Sequence, residues 1–160
     1  MTRLLDAYYR LLRIVLTGLM GVLIVPVSLQ ILSRYTGLIP RYIWTEEAAR
    51  FCFMWIIMIG AMIAVRDSTH FDVDVLPKPK TARAQAWSRL VVHALMLVVA
   101  VVFVRYGWDY AVFGWQQESE LTGINMLWIH AAYMLAGLTW AVFLAEKIAA
   151  SLAILRRRTT

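Results

Sequence analysis

Two groups of charge hold the side chains best suited to chemistry in this 160-residue chain. The first is Glu46, Glu47 and Arg50, at i, i+1 and i+4. On a helix, Arg50 reaches one of the two carboxylates along a single face, and both acids stand in a first turn, where the helix dipole favours negative charge. Local ion pairing at a helix start accounts for the group as well as a contact with another protein or with lipid headgroups does. The second group is Arg66, Asp67, His70, Asp72 and Asp74. In an extended segment His70, Asp72 and Asp74 project to one side, a spacing able to hold a metal ion. Closure of that loop onto Arg66 or onto another subunit explains the same residues without a metal, and is the preferred reading.

Nothing else in the sequence builds a catalytic centre. There is no Ser-His-Asp arrangement to argue from, no Gly-rich phosphate loop and no paired-cysteine metal spacing, so no enzyme activity is expected. The single cysteine, Cys52, excludes an intrachain disulfide and reads as a small apolar residue. His93 and His130 pose the question of a bis-histidine haem. One iron needs both rings at one depth, whereas these two are expected about 10–15 Å apart in depth at 1.5 Å per residue. Structural hydrogen-bonding histidines are the better reading.

The elements that carry these residues are set by composition. The chain is 61% hydrophobic and 16% charged, with a mean hydropathy of +0.66, against about 45–50% apolar for a soluble domain. Its net charge of +6 comes from bases that flank apolar segments, which excludes nucleic-acid binding and points to a bilayer. The expectation is an all-α integral membrane protein, one four-helix domain over residues 1–160, with spans of roughly 14–33, 47–65, 88–107 and 124–146. Pro26 should bend the first span. The segment Leu4–Leu12 before it could lie along the interface, and Gly37 and Pro40 mark a short interfacial element between helices 1 and 2. From Thr81 to about Glu118 no proline interrupts, so helix 3 should run about 50 Å and tilt. The first segment is read as a retained helix, since no small-x-small cleavage site follows it.

Direction follows from Lys and Arg. Twelve fall on the side of the two termini and of the loop between helices 2 and 3; Arg34, Arg41, Arg50 and Arg105 fall on the other. Both termini are therefore expected in the cytoplasm. Tyr35, Tyr42, Trp44, Trp108, Trp115 and Trp128 form an outer aromatic belt, while Trp55 and Trp140 lie mid-membrane and should find partners for their indole N–H groups. The apolar cores hold no carboxylate, which argues against a proton-coupled exporter made of this chain alone. Small residues at Gly60 and Ala64, and at Gly137, Ala141, Ala145 and Ala149, are suited to close helix packing.

The second helix and its brackets resemble the small membrane subunit of tripartite ATP-independent periplasmic (TRAP) transporters, the DctQ-like or Q-type subunit. The resemblance rests on Trp44, Glu46, Glu47 and Arg50, then Gly60, Ala61, Ala64 and Arg66, then His70, Val73, Asp74 and Leu76. Before helix 4 this chain reads Gly123-Ile124-Asn125-Met126, where members of the family often carry proline. The resemblance implies a division of labour in the bacterial inner membrane. A periplasmic binding protein captures an organic acid such as a C4-dicarboxylate, a sialic acid or a related carboxylate. A large membrane subunit holds the substrate and sodium sites of the symport, and the small subunit scaffolds it without a cofactor of its own. Subunit-interface candidates are then Trp44, Glu46, Glu47, Arg50, Gly60, Ala64, Arg66, His70, Asp74, Gly137, Ala141 and Ala145. Candidates for docking the binding protein are Arg34, Arg41, Asp109, Glu118 and Glu120. The alternatives are an anchor subunit of a respiratory complex and a self-assembling small exporter.

Overall fold

In hydrocarbon a chain must satisfy its backbone N–H and C=O groups within itself, and an apolar segment does so by becoming a helix. A computed structural model of the protein shows this outcome and describes residues 2–36, 40, 42–67 and 82–157. Its helices are α1 (Thr2–Thr36), α2 (Ile43–Asp67), α3 (Ala82–Trp115) and α4 (Leu127–Arg157). All four are long and apolar enough to cross a membrane. At 34 residues, α3 measures about 51 Å, well beyond a hydrocarbon core of about 30 Å.

Several boundaries differ from the sequence reading. Helix α1 is continuous from Thr2, so Leu4–Leu12 is not a separate element, and Leu5 and Leu12 pack into the core. Pro26 lies inside α1 without ending it. Ile43 and Trp44 belong to α2, and the rest of the expected interfacial element falls mostly outside the described residues. Helix α3 stops at Trp115, and α4 starts at Leu127 rather than Ile124.

Packing follows the order α1–α2–α4–α3: α1 lies on α2, α2 on α4, and α3 on α4. Helix α1 also reaches α4, where Tyr8 Oη and Thr139 Oγ1 share a hydrogen bond of 3.0 Å and the Tyr8 ring lies 6.1 Å from that of Phe143. Met62, Phe143 and Leu144 are the largest fully buried side chains. The tightest contact is between α3 and α4. A Cβ at Gly137 would sit 2.8 Å from the backbone nitrogen of Val104, and one at Gly107 would sit 2.8 Å from that of Met134. Ala100, Ala132 and Ala136 are fully enclosed in the same seam. Small residues let two backbones approach this closely, and dispersion between them replaces the hydrophobic drive that lipid does not supply.

Between α3 and α4 the chain forms a small closed hairpin. An isolated antiparallel bridge joins Glu118 to Asn125, Ser119 N–H donates to Ile124 O at 2.9 Å, and Gly123 N–H donates to Ser119 O at 2.9 Å. Gly123 takes φ +68°, a left-handed turn in which a side chain would be strained. Asn125 starts α4: its Oδ1 accepts from Leu127 N–H, while its Nδ2 donates to Trp115 O at the end of α3.

Candidate subunit interface

Helix α2 carries the motif and presents two different faces. Met58, Met62 and Val65 point inward, and Glu47 stands three turns before Met58 on the same side. Glu47 is accordingly 6% exposed, and its Oε2 is enclosed with no hydrogen-bond partner among the described residues. Glu46 and Arg50 lie on an adjacent side of the helix that is exposed. Arg50 Nη2 meets Glu46 Oε1 at 3.5 Å, with the two side chains 63% and 69% exposed. Of the two carboxylates open to Arg50 in the sequence, the structure selects Glu46 and turns Glu47 into the interior. Trp44 is exposed, Ala64 is half-buried, and Gly60 has nothing within 4 Å of an added Cβ.

Arg66 does not face outward. Its Nη2 donates to Asp6 of α1 at 2.8 Å, its Nη1 pairs with Glu146 of α4, and its guanidinium lies 5.3 Å from the centre of the Phe143 ring. Around it, Tyr9 Oη donates to Asp67 at 2.8 Å and Lys147 Nζ donates to Val65 O at 2.7 Å. This cluster joins the first turns of α1, the last turns of α2 and the later part of α4, which brings both termini to one end of the molecule. The sequence showed Arg66 but not its partners, which lie 60 and 80 positions away. His70, Asp72 and Asp74, with the metal question they raised, lie outside the described residues, as does Arg41. Among the described residues no group of three or more His, Cys, Asp or Glu is placed to hold a metal.

On α4, Gly137 is spent on α3, Ala141 is half-buried, and Ala145 and Ala149 are exposed. The sequence reading missed Gly107 and Gly114, although their spacing of seven, shared with Ala100, was a visible signal for one helix face. His130 is buried and stacks on Tyr110 with ring centres 3.8 Å apart, directly against Gly114. His93 is 21 residues from Gly114 along α3, about 31 Å of helix. That separation is larger than the 10–15 Å expected from the sequence and puts one haem between the two rings out of reach. Trp55 Nε1 donates to Trp128 O at 2.9 Å as expected. Trp140 does not follow suit: its ring packs 4.8 Å from Phe103, and its Nε1 is buried with no hydrogen-bond partner among the described residues. At the loop end Arg34, Glu118 and Glu120 are exposed, and Asp109 is paired with Arg105 one turn away.

The arrangement therefore offers faces and ends for contact, and its polar groups are used mainly to join helices. The family described as the DctQ component of tripartite ATP-independent periplasmic transporters matches residues 23–153, from the middle of α1 into the last turns of α4. The chain belongs to the DctQ family. Within it, the sialic acid TRAP transporter small permease protein SiaQ of Vibrio cholerae is 26% identical over 137 residues, covering 84% of this chain and 78% of that one. The C4-dicarboxylate TRAP transporter small permease protein DctQ of the same organism is 29% identical over 85 residues, 49% of this chain and 37% of that one. The sialic acid TRAP transporter permease protein SiaT of Haemophilus influenzae is 32% identical over 106 residues, 64% of this chain. That match spans only 17% of SiaT. DctQ proteins are components of transporters, and this one is a multi-pass membrane protein.

Proposed function

We propose that this chain is the small, non-catalytic membrane subunit of a sodium-coupled TRAP transporter for an organic acid. It binds and scaffolds a large permease subunit that holds the substrate and sodium sites. The observation that carries this reading is the match to SiaT, in which a DctQ-like unit forms a minor part of a far longer permease chain. A unit that occurs inside such a chain is suited to stand beside the same kind of permease when it is separate. The polar interior supports it: among the described residues the buried polar groups are scattered over α2 and α4, with no continuous file of ionisable groups of the kind a transport path requires. Both termini face the cytoplasm of an inner membrane, in line with the excess of Lys and Arg at that end. The opposite end, with Arg34, Asp109, Glu118 and Glu120, faces the periplasm and offers charge to a binding protein, which speeds docking more than it tightens it. The transported molecule is a C4-dicarboxylate, a sialic acid or a related carboxylate.

The test is purification of the tagged chain from its native membrane in gentle detergent, with mass spectrometry of what accompanies it. A stoichiometric large TRAP permease is the expected result. A homo-oligomer without that partner, active in liposomes alone, overturns the proposal.

A further inference from the structure

We propose that the outward face of α2, marked by Glu46, Arg50, Phe53, Ile57 and Gly60, is the surface on which a transmembrane helix of the large permease packs; this rests on the small-subunit reading above. The five positions advance by four, three, four and three residues. A period of 3.5 keeps one seam facing a second helix at a shallow crossing angle. Phe53 and Ile57 are exposed, and Gly60 opens onto space. The content of the face separates it from a lipid surface. Helix α3 exposes Leu95, Val98, Val99, Val101 and Val102, branched aliphatics of the kind that acyl chains meet. The α2 face sets an ion pair, an aromatic ring and an open glycine along one seam; α3 has an exposed ion pair of its own, Arg105–Asp109, beyond this aliphatic stretch, but its glycines, Gly107 and Gly114, are both closed against α4. Charges on spanning helices face protein or water, and a bare glycine lets a second backbone approach.

Two observations identify the occupant. In SiaT the equivalent unit is part of a much longer permease chain, so a permease partner is held beside it by covalent connection. In addition, Arg50 spends one nitrogen on a long contact of 3.5 Å to Glu46, and a guanidinium has five N–H donors. The partner helix is one that brings an acceptor, a carboxylate or amide oxygen, level with Arg50.

The experiment co-expresses the tagged chain with the large TRAP permease of its own organism. A photo-crosslinking amino acid is placed at Phe53 or Ile57, and for comparison at Val98 or Val102. Co-purification is read first, then crosslinks. Permease adducts from Phe53 and Ile57, at least tenfold above those from Val98 and Val102, are expected. Gly60→Leu is expected not to lower the thermal unfolding temperature of the isolated chain and to weaken permease binding at least tenfold. Co-purification with adducts mainly from α3, with equal yields from both helices, or with adducts only to a second copy of this chain overturns the inference and leaves the subunit reading intact. Unaltered binding of Gly60→Leu does the same. Absence of any co-purifying permease overturns the subunit reading itself.

Discussion

Gly137 and Gly60 are the same residue type in two opposite situations. A methyl at Gly137 would press on the backbone of α3 at Val104 and Ala100, and backbone cannot rotate aside as a side chain can. Gly137→Ala should therefore destabilise the chain by about 1–3 kcal/mol, the usual cost of overpacking, and Gly107→Ala should behave alike. Gly60→Ala meets nothing within 4 Å and should be neutral or stabilise the helix by up to about 1 kcal/mol. Unfolding of the isolated chain in mild detergent checks the contrast; equal effects at Gly137 and Gly60 would refute the close α3–α4 seam. A second residue-level test concerns Arg66. Replacement by Met removes the partner of Glu146, which is three-quarters buried, and should cost about 1–3 kcal/mol, in the range of charged hydrogen bonds. Asp6 is half exposed and contributes little to that figure. Asp6→Asn should accordingly cost less than Glu146→Gln in the same assay.

At the scale of elements, the α3–α4 hairpin depends on one side chain that both closes the loop and starts a helix. Asn125→Ala loses the bonds to Trp115 O and from Leu127 N–H together. A loss of about 1–2 kcal/mol is expected from a missing helix cap. Faster amide exchange should appear across residues 116–126 and spread into the first turn of α4; exchange unchanged there would show that the hairpin holds itself. How much of this was legible beforehand depended on the kind of signal. Charge-free runs between Arg50 and Arg66 and between Arg89 and Arg105 located α2 and α3, because length in hydrocarbon is a one-dimensional property. Which way each helix faces was not legible. A helix apolar on all sides has no polar stripe to mark its outside, so Glu47 could not be told from Glu46, nor Arg66 from a surface arginine. The hairpin was hidden for another reason: the apolar run from Ile124 set the expected start of helix 4, and an asparagine cap two residues after the Gly123 turn has no apolar pattern.

For the whole molecule, membrane sidedness is the property most open to a direct measurement. In a Cys52→Ser background, a cysteine in place of Glu120 should react with an impermeant maleimide in intact cells, and one in place of Ala149 only after the inner membrane is opened. The reverse pattern would invert the proposed orientation and, with it, the assignment of the hairpin to the periplasm. The same pair of sites reports on assembly, since Glu120 stands on a loop and Ala149 on the exposed side of α4. The presence of four spanning helices was readable from the length of the apolar runs. The order of packing was not, because chain order suggests neighbours α1–α2–α3–α4, whereas α3 lies on α4 and α2 skips past it.

That order has a consequence for how the protein is made. Helix α4 touches all three of the others, yet it is the last to leave the ribosome. Each earlier helix is stable in the bilayer by itself, and lateral assembly is a separate, later stage. Until Leu127–Arg157 has been synthesised and inserted, α3 waits with its seam of Ala100, Gly107 and Gly114 uncovered, and Arg66 waits without Glu146. A product that lacks Leu127–Arg157 thus keeps three inserted helices but has no α3–α4 seam and nothing to hold α3 to the α1–α2 pair. The cell's membrane proteases meet it as an α1–α2 pair beside an unattached α3, and insertion of the fourth helix is the step that joins the two.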